Sequence, residues 1–261
     1  MGKKPDLLEL HKDIHLYHAD AVAATGYLTL PVHEVMEMQG SVGLAMGGGH
    51  TKVRVENFHH HHIFSFRYAH SEVSGRSSAK KKSRNTLAQV VIEGLNIHNI
   101  VTCDRIVSRI AVHKPDDGSE ASIIPFGSTI DNLRIGGFKV EPDLAIDWFT
   151  EHDTWDKFLE FRKKTREQVD KITIRDPRER EIAEPKEVFA CTLVRDWGKL
   201  PPGVEVHGHG LWVPEFGMVY IGELFIAEAW RRLRMIRTVL GCGSEGCYGG
   251  GNTSGGTVPW P

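Results

Sequence analysis

Four consecutive histidines, His59–His62, lie in the stretch FHHHHIFSF near the first quarter of the chain. Imidazole nitrogens bind zinc, copper and iron, so the run is a candidate metal site. Neighbouring side chains of a strand point to opposite faces, which allows at most two of the four to share a site. We expect His60 and His62 to form such a pair, with further ligands from elsewhere. The alternative is a solvated strand edge or loop.

A second candidate lies in the stretch VHGHGLWVPEFGMVYIG. His207 and His209 are again two positions apart, and Glu215 is the next carboxylate along the chain. This pattern is similar to the first metal motif of the cupin barrels, although the interval before Glu215 is one residue longer and no second cupin motif follows. The resemblance implies a transition metal, copper, zinc or iron, held by these three residues. One histidine of the 59–62 run would complete the shell, either His60 or His62. The alternative is two histidines in a glycine-rich strand or turn.

Three carboxylates, Glu93, Asp104 and Asp131, lie in otherwise apolar stretches, where an unpaired charge would be costly. Arginines in the same stretches are the expected counter-charges: Arg105, Arg109 and Arg134. Ion pairs therefore explain these carboxylates better than general acid/base catalysis. No nucleotide-binding loop, nucleophile elbow, zinc-protease helix or haem motif can be found in the sequence, so catalytic residues stay unassigned and an enzymatic activity stays open.

The four cysteines divide into two pairs. Cys103 and Cys191 lie in strand-like stretches, where a buried thiol is the default interpretation. Cys242 and Cys247 flank the segment GSEG near the carboxyl end. Their spacing is compatible with free thiols, with a small disulfide loop or with two thiolates on one metal ion.

Most of the chain alternates apolar and polar residues with a period of two, between turns rich in glycine, proline and aspartate. Many short strands with such turns predict a mainly β fold, an antiparallel β-sandwich or barrel. One clear helix, TEHDTWDKFLEFRKKTREQVDKI, begins at Thr150, which we expect to cap its first turn. The helix and the charged, proline-containing stretch after it predict a helical insertion over about 149–186.

The domain organisation follows from these patterns. Residues 1–25 are predicted to be an N-terminal arm, and residues 26–248 a single β-rich domain that contains the helical insertion. Residues 249–261 have the sequence GGGNTSGGTVPWP. We expect them to form a glycine-rich tail, because glycine has no side chain to contribute to a core.

The charge balance limits the classes of partner. Thirty-two basic and 34 acidic side chains give a formal net charge of -2, which argues against a surface-wide basic field for nucleic acid. No apolar run is long enough to span a bilayer, and no export signal is visible near the amino end. These observations predict either a cytoplasmic chain or one recorded without its leader.

Four β-rich segments carry a further resemblance: TLAQVVIEGLNIHNIVTCDRIVSRIAVH, STIDNLRIGG, VPEFGMVYIGEL and RLRMIRTVLGCGSEG. They resemble an uncharacterised family of bacterial β-rich proteins, many of them secreted or anchored at the cell surface. The resemblance implies a β fold and assigns no catalytic residue. Together with the absence of a complete catalytic motif, it favours a non-catalytic binding or self-assembly module that forms homo-oligomers. The alternative is a metal-dependent, cupin-like enzyme that acts on a small molecule.

Overall fold

A computed structural model describes residues 16–164 and 188–257 of the chain. The described residues form an antiparallel β-sandwich with two short helices. In chain order the strands are β1 (His18–Leu30), β2 (Glu34–Gly43), β3 (Gly49–His60), β4 (Phe64–Ser78), β5 (Ser83–Ile97), β6 (Val101–Pro115), β7 (Ser122–Ile124), β8 (Thr129–Asp131), β9 (Arg134–Ile135), β10 (Phe138–Lys139), β11 (Asp143–Leu144), β12 (Phe189–Thr192), β13 (Val194–Asp196), β14 (Glu205–His207), β15 (Gly210–Val213), β16 (Gly217–Ile226), β17 (Trp230–Cys242) and β18 (Ser244–Gly256). The helices are α1 (Ile146–Glu151) and α2 (Trp155–Lys164).

Two eight-stranded sheets make the sandwich. The first has the order β14-β15-β16-β17-β18-β1-β2, with β12 also paired to β16. The second has the order β10-β9-β6-β5-β4-β3, with β7 and β8 also paired to β6. Both sheets are open, with β2 and β3 as end strands, so the predicted mainly β class is confirmed and the architecture is the sandwich rather than the barrel.

The core lies between the facing sides of the two sheets. In β5 the inward side chains Ala88, Val90 and Ile92 are fully buried, while the side chains between them reach the outer face. This alternation follows from the period of two in a strand, and it places one apolar row of each long strand against the other sheet.

The glycine-rich segment at the carboxyl end differs from the predicted tail. Residues up to Gly256 belong to β18, which lies between β17 and β1 in the centre of the first sheet. A Cβ at Gly255 would lie 2.9 Å from the Ile110 side chain of the second sheet, so the glycine lets the two sheets approach. Backbone hydrogen bonds hold such a strand without side chains, which composition alone does not reveal. Residues 258–261 lie outside the described part of the chain.

The predicted N-terminal arm also differs from the structure. The strand β1 begins at His18 and pairs with both β18 and β2, so residues 18–25 are part of the sandwich. Its alanines Ala19, Ala21 and Ala23 point inward and are buried. Small side chains are needed here because β1 faces the β4–β5 layer closely. Residues 1–15 lie outside the described ranges.

The helical insertion begins as two helices rather than one. Thr150 does not cap a helix; its hydroxyl donates to the carbonyl of Ile146 at 2.8 Å inside α1. The first turn of α2 is instead capped by Glu120, whose carboxylate accepts the backbone N–H groups of Trp155 and Asp156. Thr154 also caps this turn locally, since its hydroxyl oxygen accepts the backbone N–H of Lys157 at 3.3 Å. The contacts from Glu120 come from a distant loop, so local sequence could not predict them. The remainder of the predicted insertion, 165–186, lies outside the described residues.

A buried arginine of the sheet fixes this insertion. Arg231 in β17 is 2% exposed, and its guanidinium donates to the carbonyls of Phe149, His152 and Asp153 at 3.3, 2.8 and 3.0 Å. Burial lowers the pKa of Arg231 to about 10. The carbonyls of Phe149 and His152 lie at the end of α1 and in the following turn, where helix geometry supplies no donor, so one side chain satisfies both. The carbonyl of Asp153 also accepts the backbone N–H of Ile123 at 2.9 Å. Neither described helix is long and apolar enough to cross a membrane.

Candidate metal centre

Three potential metal ligands converge at one edge of the sandwich. One ligand atom each from Glu34, His60 and His61 lies within 4.8 Å of the other two. Within residues 16–164 and 188–257 this is the only group of three or more histidine, cysteine or carboxylate ligands with that spacing. We therefore treat it as the candidate functional site and call it the Glu34 site.

The two sheets contribute different parts of the Glu34 site. Glu34 is the first residue of β2 and pairs with Leu28 in the first sheet. His60 is the last residue of β3 in the second sheet, where it pairs with Phe64 across the β3–β4 hairpin. His61 follows in the hairpin turn with a φ of 52°, a left-handed conformation that only a few side chains adopt. The site thus bridges the sandwich at its edge.

The turn explains why two adjacent histidines reach the same carboxylate. In a strand His60 and His61 would point to opposite faces, but the left-handed turn residue breaks that alternation. His60 Nε2 lies 3.3 Å from Oε1 of Glu34, and His61 Nε2 lies 2.9 Å from Oε2. The two imidazole rings are 4.7 Å apart at an angle of 76°.

These spacings resemble those of a metal coordination shell. Two ligands that each lie about 2.0–2.1 Å from a tetrahedral zinc ion are about 3.4 Å apart. The 3.3 and 2.9 Å contacts are close to that value, and one ligand atom of each residue lies within 4.8 Å of the other two. Two imidazoles and one carboxylate also form the protein ligand set of several zinc and non-haem iron sites.

Tyr248 in β18 orients His60 from the interior. Its hydroxyl lies 2.8 Å from Nδ1 of His60, and its fully buried ring stacks on Phe64, with 5.3 Å between centroids and 12° between planes. When Nδ1 carries the hydrogen and donates to the phenol oxygen, the Nε2 lone pair points to the Glu34 side. Metal-binding histidines commonly have such a second partner, which fixes the tautomer and the ring.

Gly26 provides the space for the Tyr248 ring. The two residues face each other in the β1–β18 pairing, and a Cβ at Gly26 would overlap Cδ1 of Tyr248. Burial, and secondly the charge of Glu34, raise the pKa of Tyr248 far above its ordinary value. The phenol therefore stays neutral and serves as a hydrogen-bonding group.

The Glu34 site is open to solvent on one side. The side chains of Glu34 and His61 are 46% and 44% exposed, whereas that of His60 is 10% exposed. The hydrogen bond from His61 is the largest of the effects that lower the pKa of Glu34, so the carboxylate is ionised at neutral pH. An ion held here would have protein ligands on its inner side and coordination positions directed outward.

The other residues predicted as ligands lie elsewhere. His62 is exposed and is not part of the group. His207 is 3.2 Å from Glu205 in β14, and His209 is 3.1 Å from Glu223 of β16. Glu215 is an exposed turn residue with a φ of 58°. The β14–β15 hairpin belongs to the first sheet and the histidine run to the second, and the two are not brought together as one group of ligands.

Sequence reasoning therefore found His60 and missed Glu34 and His61. Glu34 is 26 positions away from His60 along the chain, and only the β2–β3 crossover brings it close. Strand alternation groups His60 with His62 and excludes His61, but that alternation does not apply inside a hairpin turn. The one available signal was the length of the run, since four polar residues before IFSF are compatible with a turn.

His209 belongs to a separate ion-pair network on the outer face of the first sheet. Arg237 donates two hydrogen bonds to the buried Glu223 carboxylate, at 2.8 and 2.5 Å, and Arg234 lies 3.5 Å away. Burial would raise the pKa of Glu223, but the hydrogen bonds from Arg237 and His209 and the arginine charges lower it to about 2. Arg237 also stacks 3.8 Å from the centre of the Tyr220 ring. All of these groups are paired, as in a structural network.

The carboxylates considered for acid/base chemistry are also paired. Glu93 lies 3.2 Å from Arg67, and Asp131 lies 4.0 Å from Arg105. Asp104 accepts a hydrogen bond from Asn132 at 2.7 Å.

The cysteines add no ligand to the Glu34 site. Cys103 is buried, and burial raises the pKa of its thiol to about 12. Cys247 carries a free thiol, half-buried beside Arg237, whereas the side chain of Cys242 lies outside the described part of the chain.

Comparison with known proteins gives one result. Residues 15–227 match the model of a family described as a domain of unknown function, DUF8256. The chain belongs to this family. The matched region of the DUF8256 domain contains Glu34, His60 and His61. It ends before β17 and before β18, and Tyr248 lies in β18. No curated protein and no solved structure matches the chain.

Proposed function

We propose that this DUF8256 protein is a β-sandwich binding module that holds a divalent transition-metal ion of the zinc class at the Glu34 site. The observation that carries the proposal is the hydrogen bond between Tyr248 and His60, 2.8 Å long. It joins a buried residue of the first sheet to a ligand from the second, and it directs Nε2 of His60 towards Glu34, where an ion would lie.

Such an ion would tie the two sheets together at an edge where β2 and β3 are not paired as strands. Glu34 comes from β2 and the two histidines from the end of β3, so a bound ion would stabilise only the folded arrangement. The outward coordination positions could accept water or a donor atom of a partner. A metal-dependent enzyme is the alternative, and the same open positions would serve it.

Zinc titration of the full chain, prepared without a histidine tag, tests the proposal. Isothermal titration calorimetry should give one zinc ion per chain, and His61→Ala should weaken binding at least about tenfold, because one of three ligands is lost. His62→Ala is the matched control, since it removes the adjacent exposed histidine. Equal affinity in the two variants, or loss of binding only in a His207→Ala, His209→Ala double variant, would contradict the assignment.

A second candidate function is self-association through the β1–β2 hairpin. Five large apolar side chains there are between 46% and 78% exposed: Tyr27, Leu30, Val32, Val35 and Met38. Concentrated exposed apolar side chains mark protein interaction sites, and the net charge of -2 favours a protein partner over nucleic acid. The strand β2 is also the end of its sheet. We infer a homo-oligomer that buries this hairpin.

Light scattering after size exclusion tests this second function. We expect the full chain to be an oligomer and the Val35→Lys, Met38→Lys variant to be a monomer. Val206→Lys is the control, because Val206 is 51% exposed and lies on the distant β14. If the parent chain is monomeric at high micromolar concentration, the self-association hypothesis is wrong.

A further inference from the structure

A groove on the outer face of the second sheet combines an apolar floor with a polar rim. The register of β4, β5, β6 and β7 aligns one row across the sheet: Ser74, Leu87, Ala111 and Ile124. The next row towards the edge is Arg76, Asn85, His113 and Ser122. Together they line a half-open cavity of about 290 Å³.

The positive charge at the rim has no counter-charge within residues 16–164 and 188–257. Arg76 is exposed and makes no ion pair or hydrogen bond with any described residue. Arg67 on the same strand is paired, with Glu93 at 3.2 Å. The Arg76 guanidinium therefore has its full set of five donors available in a planar fork that suits a carboxylate.

The neighbouring polar groups are oriented rather than free to rotate. Nδ1 of His113 lies 2.8 Å from Oδ1 of Asn85, so the amide oxygen is used and the Asn85 NH₂ group is left to donate. The Ser122 hydroxyl hydrogen-bonds the Asp153 carboxylate, which also pairs with Lys157 at 2.8 Å. The acidic group that contacts the rim through Ser122 is thus already paired with a lysine.

We propose that this groove binds a small organic carboxylate whose apolar body lies on Leu87, Ala111 and Ile124. Its carboxylate would meet the Arg76 guanidinium, with the Asn85 amide as a second donor. A volume of about 290 Å³ lies at the lower end of the range for small-molecule sites, roughly 300–1,000 Å³, so the site suits a short aliphatic or aromatic acid rather than a peptide. The groove is separate from the Glu34 site and needs no metal.

The test uses the full chain with three probes: hexanoate, hexanol and inorganic phosphate. Binding is followed by calorimetry and by chemical-shift changes of the amides of β4 to β7. Hexanoate should bind more tightly than either control probe, because only it supplies both an anion and an apolar body. Arg76→Gln should weaken hexanoate binding about tenfold or more, since a charge-assisted pair of hydrogen bonds is lost.

Two further variants distinguish the contribution of the Arg76 charge from that of the apolar groove. Ala111→Phe should abolish hexanoate binding by filling the groove while it leaves Arg76 in place. Arg67→Gln is the matched control on the same strand and should bind hexanoate as the parent does. The proposal is overturned if phosphate binds as tightly as hexanoate, if hexanol does, if Arg76→Gln has no effect, or if shifts occur outside β4 to β7.

Discussion

The Tyr248 hydroxyl lies 2.8 Å from Nδ1 of His60, although the two residues are 188 positions apart in the chain. Tyr248 belongs to the central strand of the first sheet and His60 to the end strand of the second. This contact gives the Glu34 site a buried, rigid support on its inner side. Each prediction about the site follows from that support or from the ligands it orients.

Replacing Tyr248 by Phe tests the support directly. The ring and its stacking on Phe64 are kept, while His60 loses the partner that fixes its tautomer. We expect zinc affinity to fall by about 10–100-fold, the range found when an outer-shell partner of a metal ligand is removed. Calorimetric titration measures the effect. Tyr27→Phe, an exposed tyrosine on the adjacent strand, should bind zinc as the parent does; equal losses in both variants would argue against a specific role for Tyr248.

Gly26→Ala should displace the Tyr248 ring and so weaken its hydrogen bond with His60. The added Cβ would overlap the Tyr248 ring. Overpacking of this kind lowers the free energy of unfolding by about 1–3 kcal/mol. Urea unfolding measures the stability, and zinc affinity should fall with it. Gly43→Ala is the matched control, because nothing lies within 4 Å of a Cβ at Gly43. The idea fails if the two alanine variants are equally stable.

The Glu223 network predicts a defined acid dependence of stability. The folded-state pKa of Glu223 is about 2, below the ordinary value of 4.5. The carboxylate therefore contributes its full stabilisation above about pH 4.5, and this contribution is lost as pH falls towards 2. A shift of this size corresponds to roughly 3 kcal/mol.

Glu223→Gln should accordingly lower the free energy of unfolding at pH 7, by roughly 3 kcal/mol, because Arg237 and Arg234 lose their buried partner. The difference from the parent chain should shrink as pH is lowered from 4.5 to 2. Unfolding by urea at a series of pH values gives both curves. A difference that stays constant over this range would contradict the assigned pKa.

Arg231→Met should release the helical insertion from β17. The carbonyls of Phe149 and His152 would lose their donor, and a buried acceptor without a partner costs about 1–3 kcal/mol. The carbonyl of Asp153 keeps the N–H of Ile123. We expect lower global stability and faster hydrogen exchange in α1 and α2. Arg232→Met, at the exposed neighbouring position, serves as the control. Unchanged exchange in both helices would show that Arg231 does not hold the insertion.

The mainly β class could be predicted from the sequence, with sandwich and barrel left open, because a period of two, interrupted by turn residues, is a local signal. In β5 each inward residue alternates with an outward one, as its sequence AQVVIE shows. The glycine-rich β18 escaped prediction because its place depends on the partners β17 and β1 and on the close approach of Ile110, which are all distant in sequence.

The candidate site shows the same division between local and distant information. His60 could be named because it belongs to a visible histidine run. Glu34 and Tyr248 could not, because β2 and β18 reach His60 only after both sheets have formed. His61 depends on a left-handed turn residue, and a strand pattern gives no indication of such a turn.

Anomalous diffraction at the zinc edge, from crystals of the full chain grown with one equivalent of zinc, would locate the bound ion itself. We expect one strong peak within bonding distance, about 2.0–2.2 Å, of Glu34, His60 and His61. A peak at His207 and His209 instead, or no ordered peak at the Glu34 site, would contradict it.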